Sequence, residues 1–366
     1  MNIYLLNIFI VLLLYILDPK IHKDNIVKSY RNNNYTLITI IVIFITMFLE
    51  MGFRGDFYID TIHYYIKFID VGKENIANVL HGTKDVGYDV LNYYFYNLIS
   101  NQYLYFLLFI SFVVAASFSI FMLRESSIIW LSFLVLLCSG SFYTGFNIMK
   151  ELLVVSLFSL LYYYIYTKQK VKYISIGLLL STMHTSLLFI LPIYFLPLVK
   201  WKKLNVKWVL LIFVAILLSA YQIMNVIVES VINRFFVHYE RVGAFGMDEG
   251  ISLQGTLKAV LLSLFVVLNL KKFNKNSARE MLIYNGCILY AFFAVCGYKI
   301  YMIQRLVHYF MPCLMIGYPI VISRIKYANR RRLVLVLIVT VLILSSINII
   351  LDPPYYFYWD NSSTRW

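Results

Sequence analysis

Residues 173–199 read YISIGLLLSTMHTSLLFILPIYFLPLV, an unbroken apolar run of 27 residues. One crossing of a bilayer needs roughly 20 apolar residues. The run is therefore long for one span and short for two. The lysines around it decide between these readings. Lys168, Lys170 and Lys172 precede it, and Lys200, Lys202, Lys203 and Lys207 follow it. Basic residues collect on the cytoplasmic side of a membrane, so both flanks are expected there. The run is then a helix–break–helix hairpin that enters partway, turns near Thr182–Thr185 and returns.

The rest of the chain agrees with that orientation. Ten further apolar runs of spanning length are expected, near 2–18, 35–52, 103–122, 128–146, 148–167, 208–228, 255–270, 281–298, 304–323 and 333–351. With the hairpin in place, the short loops on one face hold 21 Lys and Arg against four acids, and the other face holds 11 against 14. A single crossing at 173–199 would reverse the three most basic loops downstream. Both termini are thus expected on the outer face, which in a bacterium is periplasmic. The run Asn2–Leu17 lacks a basic start and a small-residue cleavage site, and it reads as an anchor.

Composition fits the same class. Of 366 residues, 61% are hydrophobic and 14% charged, whereas soluble domains carry about 25% charged residues. The net charge of +14 resides in short loops between apolar runs, which argues against a nucleic-acid partner. Cys138, Cys287, Cys296 and Cys313 form no metal-ligand spacing and read as small buried hydrophobes. The expectation is an all-α polytopic integral membrane protein of about 10–12 membrane segments, forming one transmembrane domain over residues 1–366.

Two loops on the outer face are long. Within 53–102, the apolar residues at 59, 62, 66 and 69 have helical spacing. VGYDVLNYYFYNLI, from Val86, reads as a second, tyrosine-rich amphipathic helix. Both are expected to lie along the interface. Residues 229–254 form the other loop.

Ionisable side chains near the membrane core are costly, about 2.5–3.5 kcal/mol each on insertion scales, and mark functional sites. His184 falls at the expected hairpin tip, about 18 Å of helix rise beyond Lys172. It is either a neutral histidine bonded to a carbonyl or hydroxyl, or a base or phosphate ligand in a polar cavity. Lys150 and Glu151 begin a span. They form either a salt bridge at a helix start or a cationic site for an anion aided by the helix dipole. Arg305, with Lys299 before it and His308 and Tyr309 after it, either snorkels to the interface or binds an anion. Arg54 and Asp60 follow the second span in EMGFRGDFYIDTIHYYIKFID (50–70). There Asp60 either caps a helix over 61–70 and pairs with Arg54, or both line a cavity. Such a cavity would hold a lipid pyrophosphate through arginine and lysine. A histidine or aspartate in it could take the proton of an acceptor hydroxyl.

The ordered motifs also resemble a known family. FRGDFYIDTIHYYIKF, DVGYDVLNYYF, FNIMKELLVVSLF, STMHTSLLFILPIYFL and QRLVHYF are similar, in that order, to segments of bacterial O-antigen and exopolysaccharide polymerases of the EpsG/Wzy-like type. The resemblance runs from about residue 50 to 310. It implies a multi-span, lipid-donor glycosyltransferase fold (GT-C-type). It further implies transfer of a growing glycan from undecaprenyl diphosphate to a lipid-linked repeat unit at the periplasmic face of the inner membrane, with no nucleotide sugar, cofactor or metal. Carried over residue by residue, it points to Arg54, Asp60, Asn147, His184, Arg305 and Tyr309. Lys150 stands where the family usually has arginine, and Glu151 where it has glutamine. His184 is the first choice for the base and Asp60 the second. Arg54, Lys150, Arg305, Asn147, Tyr309 and Lys299 are expected to hold the diphosphate or sugar. A flippase and a chain-length regulator are expected membrane partners. The competing readings are a flippase for the same lipid, a membrane O-acyltransferase and a single-sugar transferase using a polyprenyl monophosphate.

Overall fold

The computed structural model describes residues 3–18, 34–55, 59–82, 84–200, 252–298 and 301–346. The expected span at 208–228, the loop at 229–254, the C-terminal segment and Lys299 lie outside these described residues. Every described element is helical. Among the described residues, five helices are long and apolar enough to cross a membrane, or six if a bent pair counts as one span. Three shorter apolar helices, Ile3–Leu17, Thr185–Leu198 and Leu253–Val267, fall at other expected segments. The chain is an all-α, multi-pass membrane protein.

It divides into two compact units, Met1–Leu191 with Ile322–Trp366, and Pro192–Val321. The first contains α1 (Ile3–Leu17), α2 (Asn34–Gly52), α3 (Ile59–Lys73), α4 (Ile76–Leu80), α5 (Val86–Leu98), α6 (Tyr103–Glu125), α7 (Ile129–Cys138), α8 (Ser141–Asn147), α9 (Met149–Tyr166) and α10 (Lys170–Met183). On α2, Ile40, Ile43 and Met47 are buried while Ile38, Ile41, Ile45 and Leu49 are open. In water that open stripe would be a liability. In lipid it carries no penalty, because acyl chains are as apolar as the side chains. Its inner face meets α6 through Phe44, Phe48 and Phe112, with edge-on rings 5.5 and 6.4 Å apart.

The expected single span at 128–146 is two helices, α7 and α8, bent by 54°. Gly140 sits at the break with φ 81°, a left-handed conformation that glycine adopts without steric cost. A buried polar network ties this bend down. Asn7 Nδ2 donates to Glu50 Oε2 at 2.9 Å and to the Tyr143 hydroxyl at 2.7 Å, so α1, α2 and α8 are joined. At the other end of α7, Trp130 Nε1 donates to Asp18 at 3.0 Å.

Both amphipathic helices of the 53–102 stretch form, as α3 and α5. The burial of α3 differs from its apolar spacing. Ile62 and Ile66 are open, whereas Phe68 is fully buried and Thr61 and Val71 nearly so. Phe68 is drawn inward by its stack on Phe106, 5.0 Å between centroids at 25°. Edge contacts with Tyr96 add to this, and aromatic pairs add about 0.5–1.5 kcal/mol beyond area burial.

The hairpin is present. α10 stops at His184, and the chain continues as two 3-10 helices, Thr185–Phe189 and Leu191–Leu198. The Tyr173 hydroxyl donates to the Leu191 carbonyl at 2.9 Å, so residue 191 has come back beside the start of α10. Gly177 permits that return, since a Cβ there would lie 2.5 Å from Leu191 Cδ2.

The second unit contains α11 (Leu253–Val267), α12 (Ala278–Cys296), α13 (Tyr301–His308) and most of α14 (Met311–Ser323). Tyr284 and Tyr318 donate hydroxyls to the Val267 and Leu262 carbonyls, both at 2.9 Å. Phe293 stacks on Phe310 at 5.3 Å. Asn285 Nδ2 donates to the carbonyls of Leu196 and Val199 at 2.8 and 2.9 Å, at the end of the 3-10 helix. α15 (Ala328–Ser345) returns to the first unit, where Ser346 donates to the Cys138 carbonyl at 3.2 Å.

Candidate active site

His184 ends α10 in an extended conformation, φ −153° and ψ 107°, and serves as the cap of the following 3-10 helix. Its side chain is 5% exposed. The imidazole lies between two carboxylates. Nδ1 is 3.9 Å from Asp85 Oδ2, and Nε2 is 3.5 Å from Glu151 Oε2. Neither ring nitrogen has a hydrogen bond among the described residues. The bland alternative, a histidine satisfied by a carbonyl or hydroxyl, is therefore not what the site contains.

Asp85 organises the cluster. It sits in the turn between α4 and α5 with φ 55°, a left-handed conformation in which aspartate is enriched. Its side chain does not cap its own helix. It reaches across to the hairpin tip, where Oδ1 accepts from both the Thr185 amide and the Thr185 hydroxyl, each at 2.9 Å. Its Oδ2 accepts from Lys150 Nζ at 2.5 Å. Burial opposes ionisation of Asp85. The neighbouring His184 and Lys150 overcome it and hold the carboxyl well below the usual carboxylate range. The close approach of α5 to α10 requires Gly87, where a Cβ would lie 2.2 Å from Thr182 Oγ1.

Lys150 and Glu151 open α9 and take different partners. Neighbouring residues on a helix do not face each other. The lysine goes to Asp85, and Glu151, 2% exposed, goes to His184. The Lys150 ammonium also lies 5.9 Å from the centre of the Tyr88 ring. Arg54 approaches from the end of α2. It is 2% exposed, with Nη2 3.2 Å from the Met149 sulphur and the guanidinium 5.6 Å from the Phe146 ring centre. Two cations, two carboxylates and one imidazole are thus gathered where α9 starts and the hairpin turns.

The other expected residues stand as follows. Asn147 is the last residue of α8, next to the α9 start. Asp60 falls within the first turn of α3, which begins at Ile59, and not at a cap before residue 61. Its side chain lies outside the described residues. Arg305 and His308 occupy the last turn of α13, in the second unit. Tyr309, just beyond that helix, is fully buried. The sequence reading missed Asp85 as a site residue, although it opens the DVGYDVLNYYF motif. Among the described residues no group of three or more His, Cys, Asp or Glu side chains is arranged for a metal ion.

The fold and site together define an all-helical, multi-pass membrane protein with a buried acid–base cluster where α10 gives way to the 3-10 helix. The sequence model of the EpsG family matches residues 35–361, and the chain belongs to that family. No curated protein and no solved structure matches it. Family membership supports a polysaccharide-polymerase-like role of the glycosyltransferase kind.

Proposed function

We propose that the protein joins undecaprenyl-diphosphate-linked oligosaccharide units into a surface polysaccharide, at the outer face of the bacterial cytoplasmic membrane. The observation that carries this reading is the imidazole of His184 held between two buried carboxylates beside Lys150. In the step, the bond between the sugar anomeric carbon and the donor diphosphate breaks. The acceptor hydroxyl oxygen bonds to that carbon, and its proton passes to His184. The electron pair leaves with the polyprenyl diphosphate. Asp85 and Glu151 stabilise the imidazolium as it forms, as carboxylates do beside catalytic histidines. Arg54 and Lys150 meet the charge on the leaving diphosphate, arginine as a fork and lysine as a point charge.

We assign Arg305, Tyr309, Lys299 and Asn147 to donor binding as well, and Asp60 to the acceptor side as an alternative base. The partners in this reading are the lipid-linked donor and acceptor, a flippase and a chain-length regulator. The test is a surface-polysaccharide gel of a gene deletion rescued with plasmid-borne variants. A product one repeat long on its anchor, restored to a ladder by the unaltered gene but not by His184→Ala, supports the reading. Complete loss of the glycan, or a full ladder with His184→Ala at normal membrane levels, overturns it.

A further inference from the structure

A groove of about 340 Å³ opens between α3, α4 and α5. Its polar wall is His63, Lys67, Asp70 and Glu74 on α3, Asn78 on α4 and Asp89 on α5. Its floor includes Val71 and Val79, which are 8% and 4% exposed. The volume is at the lower end of ligand pockets, which run about 300–1,000 Å³. An apolar floor under a ring of acceptors and donors suits a pyranose, whose C–H face is apolar and whose rim is hydroxyl.

The charges select further. Lys67 is engaged by Asp89 at 2.6 Å, which neutralises both. Asp70 and Glu74 are exposed, and no ion pair to either is found among the described residues. The carboxylates of Asp70 and Glu74 therefore give the open wall its acidic character. Carboxylates accept strongly from hydroxyl and ammonium groups and repel a carboxylate or phosphate on the ligand.

The groove also adjoins the site. Asp89 lies in the first turn of α5, and its amide donates to the carbonyl of Asp85, the residue that precedes the helix, at 3.3 Å. The fields of Lys150 and Asp85 are both felt at Asp89. A sugar in the groove thus sits one helical turn from the carboxylate that holds the hairpin tip.

We propose that this groove binds a glycan residue next to the reacting one, an uncharged or amino sugar and not a uronic acid. The proposal rests on the polymerase reading for its link to catalysis, while the binding itself is independent of it. The test is saturation-transfer NMR on the full-length protein in lipid nanodiscs, with three probes: the disaccharides of N-acetylglucosamine, of glucosamine and of galacturonic acid. The first two are expected to give transfer, and galacturonic acid about tenfold less, which is about 1.4 kcal/mol of repulsion. Asp70→Asn with Glu74→Gln, both at exposed positions where folding is not at stake, is expected to remove most of the signal from the first two and the discrimination against galacturonic acid. His184→Ala is expected to leave binding intact. No transfer from either neutral or amino disaccharide, equal transfer from the uronic acid, or an unchanged signal in the double variant would overturn the proposal. Groove binding that persists while the gene deletion lacks a polymerase phenotype would sink the polymerase reading alone.

Discussion

Gly87→Ala tests whether the contact between α5 and α10 sets the geometry of the cluster. The alanine Cβ would lie 2.2 Å from Thr182 Oγ1 and 3.0 Å from both the carbonyl carbon and the Cβ of Thr182. Carbon atoms rest at about 3.5–4.0 Å, so the two helices must part by about 0.5–1 Å. The Thr182 hydroxyl has little freedom to yield, since it donates to the Leu179 carbonyl at 2.7 Å. Asp85 is two residues before Gly87, and His184 is two after Thr182. The displacement therefore falls on the Asp85–Thr185 bonds, both 2.9 Å. Stretching them by that amount takes them to or past the limit of a hydrogen bond. Overpacking of this kind costs about 1–3 kcal/mol of stability, and a misplacement of about 1 Å costs on the order of 100-fold in rate. The assay is polymer formation in membranes from a deletion strain carrying the variant, normalised to tagged protein by immunoblot. Adding Thr182→Ala removes the 2.2 Å contact but leaves the backbone one, so it should recover part of the loss. Polymer formation by Gly87→Ala within twofold of the unaltered protein would refute the claim that this contact positions the site.

Further outcomes follow from the same contacts. Asp85→Ala leaves the Lys150 ammonium, whose side chain is 17% exposed, without its carboxylate. About 3 kcal/mol should be lost, the low end for a broken buried pair, and Lys150→Met in addition should restore part of it; thermal unfolding in detergent reads both. The pH dependence of that loss has a definite sign. A depressed carboxyl contributes stability above its unfolded value of about 3.9 and loses it only as pH falls through the folded value, which here lies well below the usual range. The Asp85→Ala deficit should therefore be no smaller at pH 5.5 than at pH 7.5, since Asp85 also faces the His184 imidazole, and a deficit that shrinks at pH 5.5 would contradict the pair. Asn7→Ala takes a donor from Glu50 and Tyr143 and should cost about 1–3 kcal/mol, again seen as a lower unfolding temperature.

The hairpin was legible because two simple quantities conflict there, run length and the lysines on both sides. Its break at His184 falls within the four residues that the sequence marks. Helices α3 and α5 were legible from their spacing, but the buried face of α3 was not. A 3.6-residue stripe says which residues share a side, not which side finds an aromatic partner. Phe68 found Phe106, and Ile62 and Ile66 were left open. Asp85 could not be read as a centre because its partners lie 65 and 100 residues away. In the sequence it is one acid in a polar turn. The pairing of Lys150 with Glu151 looked plausible by adjacency, yet successive helical side chains diverge, and each met a charge from another element. The bend at Gly140 was hidden inside a run apolar enough for a straight span.

The 3-10 helix beyond His184 changes the ruler by which the hairpin is measured. Such a helix rises about 2.0 Å per residue against 1.5 Å for an α-helix. The seven residues from His184 to Leu191 can thus climb about 14 Å, a distance that takes α10 about nine residues. The limbs match in height with unequal lengths of chain, which is how Leu191 meets both Gly177 and Tyr173. One residue inserted between 185 and 190 would slide Leu191 by about 2 Å along α10 and turn it by about 120°, off the Tyr173 hydroxyl, against about 1.5 Å and 100° for the same insertion in an α-helical limb. Limb length after the histidine is thus a vernier on how far the tip stands beyond Leu191, set by residue count.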